Sequence, residues 1–537
     1  MARLIFIETK DHDFLVEEGN KRTHRLTENH GYRGTIVDRN GYPLAVSTPV
    51  NSIWVDPKYV ELNSNLEYVF NLLGLSNKQK QIVLERIKPK LGRNGFVYLK
   101  RQVNPMVAQQ IDDLNLPGIY LEKEYKRYYP DGEVTAHVIG YTNIDEEGQE
   151  GIELKYNNWL VGHSEKSVLD KDLKGNLIKT VDSQTTPSNG HDLALSIDRR
   201  IQYIAYKALR DSVKENVAAS GSVIVLDAET GEILAMVNQP SYNPNNMKNS
   251  LPETRRNRAV TDVFEPGSTI KSFSALMALE SGKYTPESII HTSPGYYRVG
   301  KRMVRDFKDY GDMNLEYILQ KSSNVGISKI VLSLPHEQLS DTLLSVGFGH
   351  KTNVDFPGER DGYVPVPKVW GEFPLATLSF GYGMNATALQ LAQAYTTIAN
   401  HGEMIKPSIL QLFSKNEAIK ANVTSCKVAD ETLAMLNSVI EGNGATGRRA
   451  NLLNYHVAGK TGTVRRPIAG GYATNSYTGI FAGIAPVSNP KLVIVTTIDD
   501  AQSDNYGGGT AAAPLAAKIL EKSLEVLGIS PDKPKFS

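Results

Sequence analysis

The apolar positions change period several times along the chain. In the first 190 residues short alternating runs sit beside helical ones. Residues 35–37 and 43–47 flank Asp38-Arg39-Asn40-Gly41, and the Asn40-Gly41 pair predicts a tight turn between two strands. Over 77–91, Ile82, Val83, Ile87 and Leu91 recur at helical spacing on a Lys-rich background, which predicts an amphipathic helix. Residues 181–190 have no periodic apolar face and are rich in turn formers, so a domain boundary is expected there. Beyond it, 193–197 alternates like a strand, 199–212 reads as a helix, and 221–226 with 232–237 reads as a hairpin about Glu229-Thr230-Gly231. Residues 269–281 read as a helix with Pro266-Gly267 before it and Gly282 after it, anchored in the core by Ile270, Phe273 and Met277. Late strands at 477–483 and 493–498 complete a sheet. The expected architecture is α+β, with one module over 1–190, a second over 191–528, and a tail over 529–537 expected to fray.

At 537 residues the chain exceeds what one hydrophobic core serves, in keeping with two modules. Fifty-nine Lys plus Arg balance 59 Asp plus Glu, which removes any bulk electrostatic case for nucleic acid or a polybasic membrane patch. No stretch reaches the roughly 18 to 20 apolar residues of a membrane-spanning helix. The one cysteine, Cys426, excludes an intrachain disulfide and a Cys-rich zinc site, and with no histidine beside it in sequence it reads as buried or inert.

Chemistry enters with Ser268-Thr269-Ile270-Lys271. Ser-x-x-Lys alone is weak, since it recurs at Ser488–Lys491 and Ser530–Lys533, the first in a turn and the second in the tail. Only Ser268 opens a helix, where unpaired N–H groups and the macrodipole favour negative charge, with Lys271 one turn on and able to take the serine proton if desolvated. Read alone the run is a serine N-cap with a chance lysine. Two further motifs change that reading: Ser322-Ser323-Asn324, then Lys460-Thr461-Gly462-Thr463. Ser-x-Asn also occurs at Ser241–Asn243 and Ser503–Asn505, so its weight comes from its order between the other two. Gly507-Gly508-Gly509 lacks the Gly-Lys-Ser/Thr of a phosphate loop and is expected to be a mobile loop beside the site, with no nucleotide.

In this order the three motifs resemble those of the penicillin-binding proteins and class A β-lactamases. Arg33-Gly34, Ile36 and Asp38 to Gly41, with Tyr129-Pro130, Ala136-His137, Gly140-Tyr141 and Gly151-Ile152-Glu153, resemble the N-terminal pedestal of class B penicillin-binding proteins. Read physically, these residues serve hairpin turns and interdomain salt bridges, and His137 is structural. Gly381-Tyr382-Gly383-Met384, Leu389 to Ala392, Tyr506 to Gly508 and Ala513-Pro514 resemble the transpeptidase domain. Asn324 and Thr461 match division-type members, where elongation-type relatives often carry Asp and Ser.

The resemblance implies a penicillin-binding, serine β-lactamase-like transpeptidase domain with helices on both faces of a sheet, on an elongated pedestal. It casts Ser268 as nucleophile, Lys271 as its base, Ser322 as proton relay and Lys460 as a source of positive potential. Asn324 would hold the substrate's peptide carbonyl, Thr461 and Thr463 its carboxylate, and Gly462 would let its backbone approach; the N–H groups of Ser268 and Thr463 would form the oxyanion hole. The implied activity is D,D-transpeptidation of peptidoglycan stem peptides ending in D-Ala-D-Ala, with β-lactam antibiotics as inhibitors and no metal or other cofactor. A septal glycosyltransferase and other divisome proteins are the implied partners, at the periplasmic face of the inner membrane. The family's single N-terminal anchor normally precedes a segment like 3–19 and is missing here, which suggests truncation. The rival readings are a β-lactam sensor or scaffold, a D,D-carboxypeptidase, and a β-lactamase-like hydrolase. Against the last, the region between the second and third motifs has no Glu-x-x-x-Asn signature; Glu359 lies in the nearest acidic loop.

Overall fold

The computed structural model describes residues 24–29, 31–162, 165–171, 177–183, 188–468, 470–503 and 506–534. The 3–19 segment, part of the expected boundary at 181–190 and the last three residues of the expected tail lie outside that description.

The N-terminal module is built on two sheets. Strands β1 (His24–Asn29), β6 (Glu165–Lys171) and β7 (Leu177–Ser183) form one. The other joins β2 (Ile36–Val37), β3 (Pro43–Val55), β4 (Val97–Val103), β5 (Ile119–Tyr128) and β8 (Leu193–Ala194). The predicted turn is present between β2 and β3. Gly41 has φ +81°, and the Asp38 carboxylate accepts from the N–H groups of Asn40 at 2.8 Å and Tyr42 at 2.9 Å. Helices α1 (Ser64–Leu72), α2 (Asn77–Ile87) and α3 (Pro105–Asp112) pack on β3 and β4 through a small core that includes Ile53, Val69, Phe70 and Ile111. The apolar stripe expected over 77–91 is narrower than its sequence spacing. Val83 and Ile87 are buried, whereas Ile82 and Leu91 are 40% and 42% exposed. Pro89 sits in the 3₁₀ turn Lys88–Lys90, which ends α2 before Leu91 could join its face.

Glu153 is fully buried between two arginines, accepting from Nε of Arg33 and of Arg127 at 2.6 Å each. This ties the start of β2, the end of β5 and the short helix Gly151–Lys155 into one unit. His137 is buried, with Nε2 2.8 Å from the Thr254 carbonyl, and burial lowers its pKa to about 4, so it is a neutral structural link. The second oxygen of Asp38 accepts from the Arg199 N–H at 3.1 Å, coupling the hairpin turn to the second module.

That module starts with α4 (Arg199–Glu215), β9 (Ser220–Asp227) and β10 (Ile233–Gln239). It continues through α5 (Lys271–Glu280), the hairpin β11 (Tyr296–Val299) and β12 (Arg302–Arg305), then α6 (Leu315–Lys321), α7 (Asn324–Leu332), α8 (Ala388–Ala399) and α9 (Cys426–Glu441). It closes with β13 (Ala458–Ile468), β14 (Gly471–Ala485), β15 (Leu492–Asp499) and α10 (Ala513–Val526). Five of these strands form one antiparallel sheet in the order β10-β9-β15-β14-β13. Alternation along them feeds two cores: Ile224, Val493 and Ile480 join the one holding α5 and α8, while Val223, Ile494 and Phe481 join the one holding α4 and α10. The sheet is thus covered on both faces, and β13 lies at its edge.

Two expectations are corrected. Residues 529–534 do not fray: the Ile529 carbonyl accepts from the Tyr455 hydroxyl at 2.8 Å, the Asp532 carboxylate from the His456 N–H at 2.7 Å, and Lys533 pairs with Glu441. Of the two readings of Cys426, buried or inert, burial falls: the residue is exposed, because Ser425 caps α9 and the buried face of that helix begins only at Val428. Its thiol donates to Asp430 at 3.3 Å, and that bond holds its pKa above the ordinary value.

Candidate active site

Gly267 takes φ +55°, and its N–H donates to the Gly381 carbonyl at 3.2 Å. A Cβ on Gly381 would lie 2.2 Å from the Gly267 oxygen, so the two backbones meet where only glycine fits. The α-helix expected over 269–281 begins at Lys271; Ser268 lies in a preceding 3₁₀ turn, Gly267–Ile270, closed by the Thr269 hydroxyl on the Pro266 carbonyl at 2.8 Å. Ile270, Phe273 and Met277 are buried as predicted, with the Phe273 ring edge-on to Phe348 and Tyr395. The Tyr395 hydroxyl also donates to the Thr269 carbonyl at 3.2 Å, bracing the turn from below.

Lys271 is fully buried. Its Nζ donates to the Ser322 carbonyl at 2.6 Å, the Ser322 hydroxyl at 3.0 Å and Asn324 Oδ1 at 2.7 Å, one oxygen for each ammonium proton. Burial and then the charge of Lys460 push its pKa well below the ordinary lysine value, while Asp306 acts in the opposite sense. Once the amine is neutral, its lone pair can receive a proton and the Ser322 hydroxyl can turn to donate.

Ser322 ends α6 in the left-handed region, φ 59°, a conformation that costs a non-glycine residue roughly 1–3 kcal/mol. That turn aims both its carbonyl and its hydroxyl at Lys271. Ser323 caps α7 through the Gly326 N–H at 2.9 Å, which places Asn324 in the first turn with Oδ1 on Lys271 and Nδ2 on the Arg305 carbonyl at 3.1 Å.

Lys460 is fully buried on β13, and its Nζ donates to the Ser322 hydroxyl at 3.1 Å and the Thr461 carbonyl at 3.2 Å. Burial lowers its pKa to about 7. Two lysines therefore share one serine hydroxyl in a site that shelters both from water. Gly462 passes close to the Ser268 turn, since a Cβ there would lie 3.0 Å from the Pro266 oxygen and 3.3 Å from Thr269 Cγ2. Thr461 is buried, whereas Thr463 is exposed with its hydroxyl accepting from the Gly508 N–H at 2.9 Å. The Gly507–Gly509 run is no open loop: Gly508–Ala512 forms a π-helical turn pressed against Gly462 and Ile480.

The structure thus joins Lys271, Ser322, Asn324 and Lys460 in one hydrogen-bond network and sets the Ser268 turn against Gly462 on β13. Three contributors were not read from the sequence: Asp306, which binds the second-motif loop, and Gly381 and Gly508, which clear space for the first and third motifs. Gly381 and Gly508 stood in stretches that resembled the family, but nothing local to Asp306 marks it. Glu359 is engaged within its own loop, with Oε1 accepting from the Thr352 N–H at 2.7 Å and from its hydroxyl.

The penicillin-binding protein transpeptidase domain matches residues 221–521, and the penicillin-binding protein dimerisation domain matches 28–195. The chain is 39% identical to the peptidoglycan D,D-transpeptidase FtsI of Escherichia coli K12, across 99% of this chain and 90% of that one. It is also 39% identical to the probable peptidoglycan D,D-transpeptidase PbpC of Pseudomonas aeruginosa, across 99% and 93%. Among solved structures, penicillin-binding protein 3 of Mycobacterium tuberculosis complexed with aztreonam superposes with a TM-score of 0.73 at 26% identity, over 95% of this chain and 99% of that one. With the paired modules, the antiparallel sheet covered on both faces and the lysine–serine network beside it, this chain belongs to the class B penicillin-binding proteins, the peptidoglycan D,D-transpeptidases.

Proposed function

We propose that this chain cross-links peptidoglycan stem peptides at the division septum through an acyl-enzyme on Ser268, and that β-lactams acylate the same hydroxyl. The observation that carries the reading is the pair of buried lysines on the Ser322 hydroxyl, one of which, Lys271, follows Ser268 by a single turn. Lys271, neutral in part because burial depresses its pKa, takes the Ser268 proton as Oγ attacks the penultimate D-alanine carbonyl. The C–N bond then breaks, and the proton returns through Ser322 to the leaving D-alanine amine. An amine from a second stem attacks the ester, gives up a proton by the same route, and restores the serine. Asn324 still has one amide proton for the substrate carbonyl; Thr461, Thr463 and Lys460 receive the terminal carboxylate, and Gly462 allows the peptide to lie along β13. The module over 1–190 carries the domain over 191–528 and meets a septal glycosyltransferase and other divisome proteins at the periplasmic face of the inner membrane.

The test is intact-mass analysis after benzylpenicillin with the adduct mapped to a peptide, followed by incubation with a D-Ala-D-Ala stem peptide and an amine acceptor. An adduct on Ser268 and a cross-linked product, both lost in Ser268→Ala, are expected. An adduct elsewhere sinks the nucleophile, and labelling without cross-linked product sinks the transpeptidase reading in favour of a sensor.

A further inference from the structure

We propose that Asp306 is a positioning residue for acylation: it holds the Ser322–Asn324 loop so that the Ser322 hydroxyl and the Asn324 carboxamide oxygen stay on Lys271. The inference rests on the reading of Lys271 as the proton acceptor. Asp306 follows β12, outside all three motifs, and its own N–H is fixed on the Gly295 carbonyl at 2.9 Å. Its carboxylate accepts three bonds from the loop: the Ser323 hydroxyl at 2.5 Å on one oxygen, and the N–H groups of Asn324 at 2.5 Å and Val325 at 3.0 Å on the other. The carbonyl of the preceding residue, Arg305, accepts from Asn324 Nδ2. One dipeptide at the end of a hairpin therefore grips Asn324 by both backbone and side chain.

This grip exceeds what a helix cap requires. Ser323 already caps α7 through the Gly326 N–H. The Arg305 carbonyl decides which way the Asn324 amide faces, since the reversed amide would set an NH₂ group against the Lys271 amine and an oxygen against an oxygen. The Asp306 anion holds the turn that keeps Ser322 in its left-handed conformation, where relaxation would swing both serine oxygens off the lysine. The charged groups that act on Lys271 are Lys460 and Asp306, which oppose each other, so the carboxylate also limits how far the amine's pKa falls.

The experiment compares Asp306→Ala, Asp306→Asn and the parent for fluorescent-penicillin acylation rate against pH, with thermal melting to normalise each rate to folded protein. Asp306→Ala is expected to acylate about a hundredfold more slowly per folded molecule, the scale of a misplacement near 1 Å. Asp306→Asn, which keeps an acceptor for the loop N–H groups but no charge, is expected to move the acidic limb of the rate profile to lower pH, because losing the anion removes support for the protonated lysine. A merely structural Asp306 would lower the melting midpoint and leave both readouts unmoved. Normalised rates within about threefold of the parent, with an unmoved acidic limb, overturn the proposal. If Asp306→Ala does not fold, the Asp306→Asn profile decides alone. Persistent labelling of Ser268→Ala would instead remove the site reading on which the inference stands.

Discussion

Replacing Lys460 by methionine should stabilise the protein while abolishing its acylation. Lys460 is fully buried with no carboxylate bonded to it among the described residues, and its pKa falls from 10.5 to about 7. A lysine with those folded and unfolded values opposes folding by about 4 kcal/mol at neutral pH. Methionine fills a similar volume without that penalty but forfeits the bonds to Ser322 and Thr461, worth about 1–2 kcal/mol together. A net gain of about 2–3 kcal/mol remains, or roughly 3–4 °C in melting midpoint for a module of about 340 residues. The sign fixes the pH window. The unfolded lysine is protonated and the folded one neutral between the two pKa values, so parent stability climbs with pH from about 7 to about 10.5. The advantage of Lys460→Met is therefore full below about pH 7 and fades toward about pH 10. Scanning calorimetry of both proteins across that range, with fluorescent-penicillin labelling in parallel, is the assay. A variant that melts below the parent at neutral pH, or whose gain is the same at both ends, refutes the reasoning.

Glu153→Gln should leave two buried arginines without their shared anion and cost about 3–5 kcal/mol in the N-terminal module; calorimetry should show a transition displaced downward by roughly 6–20 °C, and a shift under about 2 °C would contradict it. Exposed Cys426 should react sluggishly with a disulfide reagent such as DTNB because Asp430 disfavours the thiolate, and Asp430→Asn should speed that reaction. An unchanged rate would show that the carboxylate does not control the thiol.

The chemistry was more legible than the packing. Three short motifs far apart in the chain announced the family because their order is specific, and the strands at β9, β10, β14 and β15 followed from apolar runs between turn formers. The 3₁₀ turn at Ser268 was not legible, since it depends on Gly267 meeting Gly381, a contact 114 positions away. The stripe over 77–91 was read too wide because periodicity counts spacing and not the break imposed by Pro89. Cys426 misled for a related reason: residue type favours burial, but the first position of α9 precedes its buried face. Asp306 carries no local signature, because its partners come from a loop that only the tertiary fold brings to the end of β12.

The placement of β13 at the sheet's edge has a consequence for colloidal behaviour. An open edge with small residues is a template on which another chain could extend the sheet, the usual beginning of aggregation. Here the run Ala458–Thr463 is followed on the same strand by exposed Arg465 and Arg466 and then by Pro467, which has no N–H to offer a ladder. The π-helical turn at Gly508 abuts Gly462 and Thr463 within that run. A second copy of the protein, which needs a long register along this edge, therefore meets two cations and a break in the pairing. An edge that would receive the peptide under the proposed function is thus also guarded against self-association.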